Sequence, residues 1–497
     1  METSDLQVYK PRLHFAPTHH RVHDISGLVD MGGEYHLFYR YEQDHAVQQN
    51  IRWGHAVSTD LIQWQELDMQ MQWDERGWAQ SGCVVVDTSN TSGLFPDGPG
   101  MVAIHTSQQP TTSQQPITDT PDAADQTIPS WNIGIAYSHD GGRTWMPYAG
   151  NPVLTDLENG TVCQDPRVFW YRPKGCWIMV LATGQDVCFY SSSNLLNWQR
   201  TSRFGSKHGS HEGQWRYPDL FRLNIEGTES CKWVLLISMA DEPALGNGSR
   251  TQYFVGSFDG RQFMPDDNRI QWLDYGRDHY GSISLTDHTQ RDPKRIQIGW
   301  MNNWRYADEL PVANWNGAMT LPRTLTLRPY KNRMLICQRP VAELERHFHE
   351  KYKLNGCTIT EQQPYELIQP LNIADIQLRM QHDGLQEMGI IIHHTAEQYT
   401  VISYNAANEL FSVKRDHSSS SDLEPHPLFQ RGQQVHIPPS SHLSLRIVLD
   451  RCSIEAFAGD GMYAITSLIF PDRTCEKITM YTVGGDVRLY DSWILVG

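Results

Sequence analysis

The chain has no excess of basic charge. Its 41 lysines and arginines are outnumbered by 57 aspartates and glutamates, for a formal net charge of −16. A surface of that sign repels a polyanion, so nucleic acid is not expected as a partner. No apolar run is long enough to cross a bilayer, so no membrane partner is expected either. The opening residues Met1-Glu2-Thr3-Ser4-Asp5-Leu6-Gln7 lack the basic and apolar regions of a secretory leader, which sets the expectation of a cytoplasmic protein. On that expectation the Asn-X-Ser/Thr triplets at Asn90, Asn159 and Asn247 are chance matches. Cysteine is sparse: nine, an odd number, with no Cys-X-X-Cys pair. That pattern speaks for reduced thiols rather than a disulfide framework. No cysteine and histidine cluster has ligand spacing, so neither a metal nor any other cofactor is expected.

Helical periodicity is also missing. In its place stand short β-branched or aromatic runs bounded by turns, such as Glu34–Tyr39, Cys83–Val86, Trp177–Leu181 and Trp233–Ile237. At 497 residues the chain exceeds one ordinary core, and two domains are expected. An internal repeat runs through the first part. Gly54-His55-Ala56-Val57-Ser58-Thr59-Asp60-Leu61-Ile62-Gln63-Trp64 is echoed at Gly134–Trp145, at Phe189–Trp198 and at Tyr253–Phe263. Each copy is a strand, a polar turn and an aromatic that opens the next strand. Hairpins repeated at intervals of several tens of residues predict a propeller. Ser107 to Ser130, rich in Gln, Pro and Thr, reads as a mobile loop inserted between blade strands. Glu343–Phe348 reads as a short helical linker. Beyond it, apolar residues alternate with period two, as at Leu443, Leu445, Ile447 and Leu449, which predicts an antiparallel sandwich. His417–Asp422 reads as an exposed loop tip. The 16 tryptophans suit stacking on sugars or packing of blades.

Several blocks, taken in order, carry a resemblance. They are Pro11–Phe15, Gly33–Tyr39, Trp53–Ser58, Trp78–Cys83, Thr251–Gly256, Trp300–Trp304, Gly317–Arg323, Ser453–Phe457 and Ile465–Pro471. Together they resemble glycoside hydrolase family 32, the invertases, inulinases and levanases, over almost the whole length. The resemblance implies an all-β fold: a five-bladed β-propeller over residues 1–337, a linker over 338–354 and a β-sandwich over 355–497. It implies a site in the propeller's central funnel and a small-molecule substrate.

The same resemblance implies three catalytic carboxylates. An Asp in Trp-Met-Asn-Asp-Pro-Asn-Gly is the nucleophile, an Asp in Arg-Asp-Pro steadies the transition state, and a Glu in Glu-Cys is the acid/base. Retaining hydrolysis sets nucleophile and acid/base about 5–5.5 Å apart across the scissile bond. This chain keeps part of that set. The first motif is Arg21-Val22-His23-Asp24-Ile25-Ser26-Gly27, so Asp24 survives with His23 before it. The second is Gln164-Asp165-Pro166, so Asp165 survives and the arginine is lost. The third is Trp215-Arg216-Tyr217-Pro218-Asp219, so Arg216 stands where the acid/base belongs. A guanidinium cannot donate a proton at any workable pH. The family's Phe-Tyr-Gln-Tyr is Phe38-Tyr39-Arg40-Tyr41, and Asp-Phe-Tyr-Ala is Asp278-His279-Tyr280-Gly281. The catalytic positions are therefore Asp24, Asp165 and Arg216. The candidate substrate-contacting residues are His23, Arg40, Trp53, Ser81, Gln164, Tyr217 and His279.

The matched positions change from a net charge of minus two in the family pattern to zero here. Buried arginines need anionic partners, either Asp24 and Asp165 or an anion on the substrate. Three readings follow. One is a glycosidase with a substitute acid, for which His23, His211, Glu212, Tyr217 and His279 are candidates. Another is an enzyme of a different reaction in the same funnel, acting by acid/base or cyclisation chemistry on a non-sugar metabolite, anionic or not. The third is a non-catalytic protein that binds a carbohydrate or metabolite. Sucrose and inulin hydrolysis is expected to be weak or absent.

Overall fold

The repeated turn builds the first domain. The Ser58 hydroxyl accepts from the Leu61 amide at 2.8 Å, and one Asp60 carboxylate oxygen accepts from the amides of Ile62 and Gln63 at 2.9 and 2.8 Å. The Trp64 indole then donates to the Leu61 carbonyl at 2.8 Å. The same device recurs with Ser138, Asp140 and Trp145, and with Ser192, Asn194 and Trp198. In the fourth copy Asp259 accepts from Arg261 and Gln262. Short polar side chains that capture nearby amides make such turns tight. Each copy joins the third strand of an antiparallel sheet to the fourth: Ile51–Ser58 to Gln65–Leu67, Trp131–Ser138 to Thr144–Pro147, Val187–Ser192 to Gln199–Phe204, and Arg250–Phe258 to Phe263–Pro265.

The computed structural model describes residues 9–42, 51–71, 79–108, 131–155, 163–241, 248–287, 293–312, 314–419, 426–473 and 475–497. Within them, five sheets of four or five strands form the first domain. Their innermost strands are His20–Met31, Ala79–Asp87, Gln164–Tyr171, Gly213–Asn224 and Tyr280–Asp287. Each packs on the next, and the fifth returns to the first, so the ring is closed. The fifth sheet has Arg323–Tyr330 and Arg333–Pro340 as its outer strands. Trp315–Asn316 pairs in parallel with His20 and Arg21 and ties the ends of the ring together. This is the expected propeller.

The second domain stacks a seven-stranded sheet on a six-stranded one. Leu443, Leu445, Ile447 and Leu449, on the strand His442–Asp450, all face the core between the sheets, as the alternation predicts. The linker is shorter than 338–354. Gln338–Pro340 still belong to the last propeller strand, and Glu350–Lys353 already pair with the C-terminal strand of the sandwich. Only the one-and-a-half to two turns of 3₁₀ helix at Ala342–His347, which bury Leu344, lie between them. The expected loop tip is only partly exposed. Ser418 is buried with its hydroxyl donating to the Arg415 carbonyl, and residues 420–425 lie outside the described residues. The inserted stretch begins later than Ser107, since Gly100–Gln108 is a strand, and residues 109–130 lie outside the described residues.

Charged residues fill the seam between the domains. Arg323, fully buried, donates to Glu455 at 2.7 and 3.0 Å and to Asp274 at 3.0 Å. Arg415 donates to Asp278 at 2.5 Å. His14 bridges Asp450 at 2.8 Å and Glu455 at 3.0 Å. Every one of these charges is paired, the condition under which burial is tolerated.

Candidate active site

All five innermost strands run outward from the same end of the ring, and each carries a register shift near that end. The shifts fall at Val22/Asp24, Ala79/Gly82, Gln164/Arg167, Arg216/Asp219 and Tyr280/Ile283. A bulge breaks the alternation of the pleat and re-aims a side chain. Here it turns Asp24, Asp165 and Arg216 onto the axis of the ring. The backbone at Asp165 (φ 57°) and Tyr217 (φ 46°) is left-handed, a conformation that non-glycine residues adopt only under constraint. Gly281, also left-handed at φ 56°, keeps its place free beside Tyr217 and Asp24.

Two ion pairs occupy the floor. Arg40 lies directly across the strand pair from Asp24. Its Nε donates to Asp24 Oδ1 at 2.7 Å and its Nη2 to Oδ2 at 2.6 Å, while Nη1 donates to the Gln80 carbonyl. The Tyr217 hydroxyl donates to Asp24 Oδ2 at 2.5 Å. The second pair crosses between blades. Arg216 Nε donates to Asp165 Oδ2 at 2.5 Å and Nη2 to Oδ1 at 3.2 Å. Asp165 also accepts from the Tyr217 amide at 3.1 Å, and its own amide donates to Ser81 Oγ at 2.9 Å. Both pairs are two-pronged, the strongest geometry open to an arginine and a carboxylate.

The electrostatics follow from those contacts. Burial pushes the Asp165 carboxyl up, but Arg216 and the surrounding donors outweigh it and hold the pKa below the usual carboxylate range. Burial opposes the charge on Arg40 and Arg216, and Asp24 and Asp165 respectively overcome it. The Tyr217 phenol is raised well above its ordinary value by burial and by Asp24, so it stays protonated. His23 is pushed down to about 4, first by burial and then by Arg40 and Arg21. It is a neutral imidazole at pH 7, contacting Glu42 at 3.3 Å and leaning on the Trp304 ring at 5.6 Å.

The structure thus brings together Asp24, Asp165, Arg216, Arg40, Tyr217, Ser81 and His23, with half-buried Gln164 at the start of the third inner strand. Two expected contacts are corrected. His279 points away from the axis: its Nε2 meets Gln297 at 3.1 Å, its ring lies over Gly299, and the charges around it are those of Arg323, Asp274 and Glu455 at the domain seam. The bulge after Tyr280 reverses the side that alternation assigns, so Tyr280 faces the funnel instead, edge-on to Tyr217 at 5.5 Å. Trp53 is 3% exposed and packs with Phe38, Val84 and Met101, its ring filling the space that Gly82 leaves. It supports the Ser81 strand from behind. Among residues that the sequence reading missed, Trp304 could have been found, since it ends one of the resembling blocks. Glu42 and Arg21 carried no signal beyond adjacency to altered motifs.

Among the described residues no substitute acid stands at the floor. His211 stacks on Trp215 at 5.1 Å and bonds Gln185, and both His211 and Glu212 are exposed. Tyr217 and His23 are held in forms that donate a proton poorly at neutral pH. Asp24 is gripped through both oxygens by Arg40 and through one by Tyr217.

A closed ring of five sheets, followed by a sandwich, with two aspartates on the ring axis, defines a glycosidase-type propeller. Comparison with known proteins specifies it. The glycosyl hydrolases family 32 N-terminal domain matches residues 14–340 and the glycosyl hydrolases family 32 C-terminal domain matches residues 344–493, and the chain belongs to that family. It is 36% identical to a levanase of Bacillus subtilis over 97% of this chain and 69% of that protein. It is 31% identical to an extracellular exo-inulinase of Aspergillus niger over 97% of this chain and 94% of that protein. Among solved structures it resembles the β-fructofuranosidase of Schwanniomyces occidentalis complexed with fructosyl-erythritol, with a TM-score of 0.86, 26% identity, and coverage of 100% of this chain and 99% of that one.

Proposed function

We propose that the funnel binds a sugar or sugar-like small molecule of the fructosyl type and releases fructose from sucrose, inulin or levan very slowly or not at all. One observation carries this reading: both aspartates are held by arginines through two-pronged ion pairs. Double displacement requires a free carboxylate to attack the anomeric carbon and an acid to protonate the leaving oxygen. Here the first is neutralised and the second is a guanidinium. Loss of a general acid alone lowers a rate by about 10²–10⁴-fold. Binding is a different matter. The polar floor, the half-buried Trp304 ring and the partly open Arg216, whose side chain is 21% exposed, supply the mixed stacking and hydrogen bonding that a furanose needs.

The alternative is acid/base chemistry on an anionic metabolite. It draws support from the neutral His23 and from Arg216 Nη1, which has no protein partner among the described residues. A single pair of measurements separates the readings. Calorimetric titration with fructose and short fructo-oligosaccharides is expected to show saturable binding, while product assays on sucrose, inulin and levan show almost no release. Turnover near the common enzyme value of about 10 s⁻¹ would overturn the proposal. Absence of any sugar binding would favour the anionic metabolite.

A further inference from the structure

The catalytic floor uses the first residues of the five innermost strands, and the last residues of the same strands line a second space. A cavity of about 940 Å³ opens there, at the opposite end of the ring from Asp24 and Asp165. Its volume falls in the range of small-molecule sites. Asp24, Arg40, Asp165, Arg216 and Tyr217 take no part in its lining.

The base of this cavity is built around one carboxylate and two guanidiniums. Arg167 Nε donates to Asp219 Oδ1 at 3.1 Å, and Arg167 Nη2 donates to the Ser284 carbonyl. Arg295 lies 3.7 Å from the same Asp219 oxygen, and donates to Ser284 Oγ at 2.8 Å and to Thr286 Oγ1 at 2.9 Å. Ser284 Oγ in turn donates to Asp219 Oδ2 at 2.5 Å. One Asp219 therefore serves two arginines. The other charges of the lining cancel, with Arg172, Arg222 and Lys294 against Asp30, Asp87 and Glu229. Among the described residues the lining carries one positive charge in excess, in a chain whose net charge is −16. Arg295 registers the imbalance. Its pKa is drawn down to about 10, by burial first and by Arg167, with Asp219 only partly restoring it.

The donors are open as well as charged. Arg167 Nη1 has no protein partner among the described residues, and both arginines line the cavity. Contrast the funnel, where each aspartate has its own arginine, and the domain seam, where Arg323 has two carboxylates. A buried guanidinium without its own anion is costly, and a bound oxyanion relieves that cost. Above this base stands Trp170, which is 37% exposed on the wall.

We propose that this cavity is an anion site, in which a phosphate or carboxylate group of a small molecule is held by Arg167 and Arg295. The test is titration of the full chain with inorganic phosphate, and separately with citrate, at ionic strength held constant with chloride. Melting temperature and tryptophan emission are read together. The expected result is a saturable rise in melting temperature with at least one of the two anions, and a change in emission that disappears in Trp170→Phe while the rise in melting temperature remains. Arg295→Met abolishes the response, and Arg295→Lys, which keeps the charge but loses the fork, weakens the affinity at least tenfold. Arg216→Met, in the funnel, leaves it unchanged. A phosphate-only response points to a phosphate ligand and a citrate-only response to a carboxylate ligand, and either supports the site. The proposal is overturned if neither anion acts beyond chloride, if the response survives both Arg295 variants undiminished, or if Arg216→Met is the variant that removes it.

Discussion

The funnel and the domain seam hold the same chemistry in two different settings. At the seam, Arg323 and Arg415 are fully buried, and their carboxylate partners also accept from backbone amides and hydroxyls. At the funnel, Arg40 and Arg216 meet Asp24 and Asp165 in equally short pairs, yet Arg216 keeps one edge open to the mouth. One seam pair, Arg323 with Glu455, joins two blocks that match the family pattern, Gly317–Arg323 and Ser453–Phe457. The funnel pairs join Arg40 to Asp24 and Arg216 to Asp165 on the inner strands of the ring. An ion pair that joins two domains is a fastening. On the function proposed above, the same pair formed on Asp24 and on Asp165 takes both carboxylates out of use. Geometry alone does not tell these roles apart, and the neighbouring groups do.

This difference can be tested by removing one arginine at a time. The largest effect is expected at the seam. Arg323→Met leaves Asp274 buried without its arginine and Glu455 with His14 alone, and stability in urea is expected to fall by about 3–5 kcal/mol. Arg40→Met strands Asp24 in the same way but beside Tyr217, which still donates to it, so the loss is expected at the lower end of that range. Arg216→Met is milder. Its side chain is 21% exposed and the Asp165 carboxylate still accepts from the Tyr217 amide, so a loss of about 1.5–3 kcal/mol is expected. A larger loss for Arg216→Met than for Arg323→Met would erase the distinction between fastening and disarming.

The seam also predicts a pH dependence. Burial pushes the His14 imidazole down, but Asp450 and Glu455 outweigh burial and raise its pKa to about 9. A group whose folded value is raised stabilises the fold fully below its unfolded value, near 6.5, and loses that contribution as pH rises through the folded value. Melting temperature is therefore expected to decline between about pH 7 and pH 9.5. His14→Gln is expected to flatten that decline. A profile that keeps its slope in His14→Gln would place the titration elsewhere.

Much of the fold was legible because the turn that builds each blade is local. Ser58, Asp60 and Trp64 capture one another's backbone within seven residues, so a repeat in sequence is a repeat in structure. The sandwich was legible for the same reason, since alternation over Leu443–Leu449 needs no distant partner. The site was legible in part. Asp24 and Arg40 fall opposite each other on neighbouring strands, a pairing that the hairpin dictates. Asp165 and Arg216 meet across two blades, and only the resemblance to the family could place them together. His279 and Trp53 were misplaced because bulges and inter-blade packing decide which face a side chain takes. The bulge after Tyr280 exchanges the roles of His279 and Tyr280, and the sequence carries no mark of it.

The smallest expected effect tests the central claim most directly. Arg216→Glu restores the family's acid/base residue while Asp24 stays gripped by Arg40. Fructose release from sucrose and levan is expected to remain within about tenfold of the unaltered protein, a change of about 1.4 kcal/mol in barrier. Addition of Arg40→Gln, which frees Asp24, is expected to raise it further. A return to full fructosidase turnover in Arg216→Glu alone would contradict the account, because it would mean that the Arg40 clamp on Asp24 does not impede the nucleophile.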